Sequence, residues 1–347
     1  MTAPTAPLLS VRDLRVHFFM DEGVVKAVDG ISFDVYASQV FGIVGESGCG
    51  KSVAMKALLR IVEPPGRIVS GQILLSRSSG GSAGGPDGGV LDLASLDPNG
   101  RQMRDIRGAE IALIPQEPMA AFSPVHTVGN QIVEAIMLHQ AVSEREAWKI
   151  AVQLARDVGI PAPEQRLNDY SWQLSGGLRQ RAIIAMALSC NPRLLIADEP
   201  TTAVDVTTQA QVLRLLRELQ ARRHTAIIFI THDLGVIAQM ADYVMVMYLG
   251  RVMEQGPVDN IFHAARHPYT QALLRSIPSI EGTPRVALPT ISGSIPHPFN
   301  RPRGCPFHPR CPHFMPGTCD RHTPALRPAA DGHLVSCFLY EAAEDRV

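Results

Sequence analysis

From residue 8 the chain alternates apolar and polar side chains. Leu14, Val16 and Phe18 are interleaved with Arg15 and His17, the two-residue period of a strand with one buried face. Val40–Val44 is a short apolar run that stops at a glycine, as a strand buried on both faces would. The period then changes. Met55, Leu58, Leu59 and Val62 fall at i, i+3, i+4 and i+7, one face of a helix, and Pro64-Pro65-Gly66 ends it. A strand is predicted over Glu110–Pro115, and helices over 127–170 with Ile132, Ile136, Ile150 and Leu154 on apolar faces. Beyond that the elements alternate: helix Leu178–Leu188, strand Leu194–Ala197, helix Val206–Arg223, strand Ala226–Ile230, helix Leu234–Met240, strand Tyr243–Tyr248. Helices between short apolar strands indicate an α/β fold with a parallel sheet covered on both faces. Two stretches break the pattern. Residues 76–90 (SRSSGGSAGGPDGGV) read as a flexible Gly/Ser insertion on the surface. From about residue 280 the chain turns Pro-rich and irregular, which predicts a second, smaller unit.

Composition narrows the class. A chain of 347 residues makes one large or two ordinary domains. Hydrophobic residues at 46% and charged residues at 19% exclude bulk disorder. With 32 basic and 33 acidic residues the net charge is −1, so no global field draws the protein to nucleic acid or an anionic membrane. No apolar run reaches the roughly 18 residues of a membrane span, and Met1–Pro7 lacks the pattern of a secretory signal. The expected location is the cytoplasm, free or docked on a membrane complex. Of six cysteines, Cys49 and Cys190 stand alone, while Cys305, Cys311, Cys319 and Cys337 crowd the tail. In a cytosolic chain such a cluster reads as a metal site before it reads as disulfides.

Gly45-Glu46-Ser47-Gly48-Cys49-Gly50-Lys51-Ser52 fits G-x-x-x-x-G-K-[ST], with an apolar strand before it and an amphipathic helix after it. Glycines let the backbone N–H groups of the loop, those of Ser47 and Cys49 included, point into one concavity around a phosphate. The helix that begins at Lys51-Ser52-Val53 adds its positive end. Lys51 is expected to reach the β- and γ-phosphates, and the Ser52 hydroxyl to bind Mg²⁺. Further on, the apolar strand Leu194–Ala197 ends in Asp198-Glu199-Pro200. Asp198 is placed to hold Mg²⁺ through water, and Glu199 to polarise the attacking water as general base.

Leu174-Ser175-Gly176-Gly177-Leu178-Arg179-Gln180 resembles the LSGGQ signature of ABC ATPases. The other elements of that family follow in order. Gln116 in Ile114-Pro115-Gln116 resembles the Q-loop glutamine, Ala203-Val204-Asp205 the D-loop, and His232 in Thr231-His232-Asp233 the switch histidine. Phe18 stands where the family places its adenine-stacking aromatic. The resemblance covers residues 8 to about 275. It implies a P-loop ABC-type nucleotide-binding domain over 1–257, with a parallel-sheet core, an antiparallel β subdomain and an α-helical subdomain at about 117–175. A small irregular Cys-rich extension over 258–347 follows. It also implies ATP hydrolysis. Gln116 would sense the γ-phosphate and the metal, and His232 would hold the attacking water. Ser175, Gly176, Gly177, Gln180 and Asp205 would complete the ATP site of a second ATPase subunit.

Gly129-Asn130-Gln131-Ile132, His267-Pro268-Tyr269-Thr270-Gln271-Ala272-Leu273-Leu274 and Gly304-Cys305-Pro306-Phe307-His308-Pro309-Arg310-Cys311-Pro312 are similar to the oligopeptide/dipeptide importer branch. That similarity implies a peripheral subunit on the cytoplasmic face of the membrane. Its partners would be a second ATPase subunit in a heterodimer, two permeases and an extracytoplasmic binding protein, with no direct contact to nucleic acid. Ala121-Phe122-Ser123-Pro124 departs from the usual Ser-Leu-Asn-Pro. Cargo stays open between peptides and nickel chelates, glutathione or oligosaccharides. The rival reading is a soluble ABC ATPase acting on nucleic acid or ribosomes, which the near-zero net charge disfavours. The tail spacing Cys305-x5-Cys311-x7-Cys319-x17-Cys337 lacks the close pairs of structural zinc sites. Four cysteines, with prolines beside Cys305 and Cys311, suit a [4Fe–4S] cluster, as the branch resemblance also implies, with zinc as the alternative.

Overall fold

A computed structural model of the chain describes residues 6–77, 89–117, 121–202, 205–277, 291–330 and 332–341. Most of the Gly/Ser insertion, and Ala203 and Val204, lie outside them.

The core is an eight-stranded sheet in the order β11-β12-β10-β9-β3-β8-β7-β6. Its parallel part joins β6 (Ile111–Ile114), β7 (Leu194–Asp198), β8 (Ala226–Thr231), β3 (Val40–Val44) and β9 (Tyr243–Tyr248). All five residues of β3 are buried, as are all of β7 and β8, which is why these strands read as continuous apolar runs. Lys51–Leu58 (α1), Leu234–Met240 (α8) and Val206–Arg223 (α7) are helices of this α/β unit. Helix α7 starts where Asp205 accepts the Thr208 N–H, and stops at His224, whose φ is 54°. A second, antiparallel sheet runs β2-β1-β4-β5, from Leu9–Met20 (β1), Gly23–Val35 (β2), Gly66–Ser76 (β4) and Val90–Asp92 (β5).

The stretch expected to be helical carries α3 (Val128–His139), α4 (Glu144–Asp157) and α5 (Pro163–Arg166), and α6 (Gly176–Ala187) follows. A capping box fixes the start of α4: Glu146 accepts the Ser143 N–H while the Ser143 hydroxyl accepts the Glu146 N–H.

The C-terminal stretch does not stand apart from the core. Strands β10 (Arg251–Pro257), β12 (His333–Val335) and β11 (Arg327–Ala330) extend the main sheet by antiparallel pairing. So the tail that follows the composition change near residue 280, which predicts a second unit, contributes two edge strands to the same sheet. The pattern hides β10 because Glu254 lies in its middle, fully buried. Its carboxylate accepts the N–H groups of Arg266 and His267, and His333 Nε2 lies 2.7 Å from it, so the charge is satisfied rather than excluded.

Asp29 ties both sheets to the tail. It is 4% exposed and accepts from Arg15 of β1 at 3.0 Å, Arg251 of β10 at 2.8 Å and Arg301 at 2.9 Å.

Candidate functional site

The loop Gly45–Ser52 runs from the end of β3 into α1. Its two outer glycines are demanded by packing. A Cβ on Gly45 would lie 2.2 Å from the Met247 carbonyl oxygen, and one on Gly50, at φ +103°, 2.1 Å from that of Ala27. The loop therefore sits flush on neighbouring backbone, with its own amides in a tight left- and right-handed alternation. Lys51 is buried, and its ammonium donates to the carbonyls of Gly45 (2.8 Å) and Glu46 (3.1 Å). Cys49 is buried and its thiol pKa is raised by burial, the profile of a packing group rather than a nucleophile. Val53 packs partly buried against the core under the antiparallel sheet.

Strand β7 ends in two successive carboxylates, the first of which reaches this loop. Asp198 accepts from the Ser52 hydroxyl at 3.0 Å. Burial raises the Asp198 pKa, the Ser52 bond opposes that, and Glu199 pushes it up again. Two oxygens on a hard, partly buried site fit a divalent cation, whose charge would reverse that shift. Glu199 next to it has φ 47°, an unusual backbone for a non-glycine residue. Its carboxylate is the meeting point of three groups. Gln116 Nε2 donates to it at 3.2 Å, the Thr202 hydroxyl donates at 3.0 Å, and His232 Nδ1 lies 3.3 Å away. The side chain of His232 is 62% exposed, so its ring is open to solvent on the side away from Glu199. Gln116, Glu199 and His232, singled out from separate motifs, thus come together. Thr202 has no mark in the sequence, because a threonine after a Pro-Thr pair carries no spacing signal.

The remaining predicted residues do not touch this cluster. Ser175 caps α6, accepting the Leu178 N–H at 3.4 Å, and Gly176 and Gly177 form the helix start. A Cβ on Gly177 would lie 3.0 Å from the Thr208 methyl. Gln180 is buried and its amide nitrogen has no partner. Asp205 is engaged as the cap of α7. Among the described residues, no hydrogen bond joins these groups to the Gly45–Ser52 loop. Phe18 is half-buried beside Gly66, while its neighbour Phe19 is exposed under the Arg67 guanidinium.

The four tail cysteines line one cavity together with His308, His313, Phe307 and Met315. All are reduced. Burial pushes Cys305 up to about 12, against a hydrogen bond from the Phe307 backbone that lowers it, and burial likewise pushes Cys337 up to about 11 against one from Leu339. Among the described residues, no group of three or more His, Cys, Asp or Glu converges on a point that could hold a single metal ion. The donor chemistry, four soft thiols around one cavity, is of the kind that holds zinc or an Fe–S cluster.

A phosphate loop at the end of a central parallel strand, with an aspartate and a glutamate at the end of β7, one strand further across β8, defines a nucleotide-hydrolysing α/β ATPase. The ABC transporter family matches residues 28–202, and the family described as oligopeptide/dipeptide transporter, C-terminal region, matches residues 253–319. The probable peptide ABC transporter ATP-binding protein y4tR of Sinorhizobium fredii is 46% identical over 95% of this chain and 94% of its own. The dipeptide transport ATP-binding protein DppD of Bacillus subtilis is 45% identical over 96% and 95%. A dimeric structure of the ATP-binding cassette MJ0796 bound to ADP and Pi shares the fold, with a TM-score of 0.61 and 22% identity over 72% of this chain and 98% of that one. The chain belongs to the ATP-binding subunits of the ABC transporter family, in the oligopeptide/dipeptide branch. Among its described residues, no helix is long and apolar enough to cross a membrane.

Proposed function

We propose that this chain is the ATP-hydrolysing subunit of a peptide importer, with Glu199 as the general base. The observation that carries the proposal is the convergence of Gln116, Thr202 and His232 on the Glu199 carboxylate, beside the Ser52–Asp198 pair. ATP would displace the Lys51 ammonium from the Gly45 and Glu46 carbonyls, and Lys51 would then neutralise the β- and γ-phosphates. Ser52 and Asp198, with Gln116, would hold Mg²⁺, which supplies charge neutralisation at the phosphates. Glu199 takes the proton of the attacking water, and His232 orients that water in line. Phe18 would stack on the adenine from the loop's flank.

The signature groups Ser175, Gly176, Gly177 and Gln180, with Asp205, lie away from the Glu199 cluster. They are therefore read as the half-site offered to the ATP of a second ATPase subunit, in a heterodimer. Binding of ATP would close that dimer and release of phosphate would reopen it. Relatives named as peptide transport ATP-binding proteins support a complex on the cytoplasmic face of the membrane, with two permeases and an extracytoplasmic binding protein. Cys305, Cys311, Cys319 and Cys337 would hold a [4Fe–4S] cluster that cross-links the tail.

The test is Glu199→Gln in the purified complex. Removing the base should lower ATP turnover by about 10²–10⁴-fold, the range for general bases, while leaving ATP bound in a closed dimer. Turnover at the wild-type rate would exclude Glu199 as the base. Iron and acid-labile sulfide measured on anaerobically purified protein test the cluster.

A further inference from the structure

The phosphate loop is gripped by the C-terminal tail. Arg310 is buried and forms a two-pronged pair with the Glu46 carboxylate, Nη1 to Oε2 at 2.8 Å and Nη2 to Oε1 at 3.1 Å. It is locked on every side. Its Nε donates to the Ser292 carbonyl at 3.1 Å, and Nη1 also donates to the Tyr248 hydroxyl at 3.3 Å. Phe307 packs edge-on against Tyr248 and tilted against Tyr269. Tyr269 in turn accepts the backbone N–H of Glu46 at 3.0 Å. Two groups from beyond residue 257 therefore fix one residue of the loop, through its carboxylate and through its backbone. Burial alone would lower the Arg310 pKa, but the bonds to Glu46 and Tyr248 raise it overall.

Glu46 is an awkward residue for a loop built to hold polyphosphate. Its carboxylate is 19% exposed and sits one residue after Gly45. Without a counter-charge it would oppose every anion brought to the loop. A buried ion pair is seldom retained for stability alone, since apolar groups of the same volume stabilise as well. Its effect here falls on the charge and shape of the loop.

We propose that the tail is part of the nucleotide site: Arg310 is a positioning residue that cancels the Glu46 charge and sets the first turn of the phosphate loop for ATP. This rests on the reading of Gly45–Ser52 as the ATP loop. Cys311 follows Arg310 directly, so whatever orders the cysteines also orders the guanidinium. Nucleotide affinity then depends on a segment outside the ATPase motifs.

The experiment is Mg-ATP titration of the full-length protein by calorimetry, with thermal melting in parallel. The variants are Arg310→Met, Glu46→Gln and the two combined. Arg310→Met should weaken ATP binding about tenfold, by leaving Glu46 uncompensated. The double variant should recover to within about threefold of wild type, because the repelling charge is gone. A tail that acted only as scaffold would leave the double variant as weak as Arg310→Met, and that result overturns the proposal. So does unchanged affinity in Arg310→Met. Should Arg310→Met fail to fold, Glu46→Gln decides alone: affinity equal to or above wild type supports charge cancellation, and a loss overturns it. Wild-type protein that binds no ATP would remove the underlying reading itself. Wild-type binding with no response to Arg310 removes this proposal alone.

Discussion

The phosphate loop and the cysteine tail meet at Glu46, yet they keep their shapes by different means. The loop is held by backbone. Gly45 lies against the Met247 carbonyl and Gly50 against that of Ala27, with no room for a methyl group. The strand that feeds it is buried along its whole length. The tail gives the core only a few of its described side chains, Phe307 and Phe338 among them. It has short strands, three-residue helical turns and many prolines, and it is fastened by side chains: Arg301 to Asp29, Arg310 to Glu46, His333 to Glu254, and cysteines around a cavity. A region that adds few side chains to the core can still be held in place if its charges are buried and paired. The cost is that single side chains matter more there than in the sheet.

The largest effect is expected at Asp29. Three guanidiniums from β1, β10 and the tail converge on one buried carboxylate. Asp29→Asn leaves them facing one another, at a cost of about 3–5 kcal/mol. Urea unfolding measures it, and a loss below about 1 kcal/mol would show that the tail is fastened elsewhere. Burial pushes the Asp29 pKa up, but Arg251, Arg301 and Arg15 together hold it below its ordinary 3.8. A carboxylate depressed in the folded state adds stability that is present above its unfolded pKa and lost as pH falls through the folded one. Wild-type stability should therefore fall more steeply than that of Asp29→Asn below about pH 4.

Next comes the loop. Gly45→Ala forces a methyl group into the Met247 carbonyl, and the shift should destabilise the fold by about 1–3 kcal/mol. ATP binding should fall further than stability does, because the strain lies in the amides that face phosphate. Melting temperature and ATP affinity falling in step would mean that loop and core move as one body, and the contrast with the tail would weaken.

What could be read in the sequence follows the same division. Backbone-built parts were legible. The buried strands at 40–44, 194–198 and 226–231 announce themselves as apolar runs, and Gly45, Gly50, Lys51 and Ser52 keep fixed spacing because the loop geometry tolerates nothing else. Gln116, Glu199 and His232 were reached through motif order, and they meet in space. Side-chain-built parts were not legible. Nothing near Asp29 says that Arg301, far along the chain, will bind it. Strand β10 hides because Glu254 and Gln255 are buried polar residues. Strand β4 is interrupted by Gly71, whose φ is 104°, and its apolar alternation is lost there. Thr202 touches Glu199 without a motif to mark it. Periodicity records which face is apolar; it carries no information on which distant charges pair.

The smallest effect sharpens the comparison most, because it acts on the same residue as Arg310 without touching charge. Tyr269 is fully buried in α10 (Pro268–Arg275) and its hydroxyl accepts the Glu46 N–H at 3.0 Å. Tyr269→Phe keeps the ring packed on Tyr248 and Phe307 and removes one neutral hydrogen bond. The cost should be about 1 kcal/mol in unfolding free energy, and ATP affinity should change by no more than about threefold, since that bond positions an amide that carries no net charge. Arg310→Met is expected to weaken ATP about tenfold by exposing the Glu46 carboxylate. The ratio of the two variants in one ATP titration separates charge from position. A Tyr269→Phe loss as large as that of Arg310→Met would mean that the tail acts on the loop through its backbone, and that cancelling the Glu46 charge is incidental.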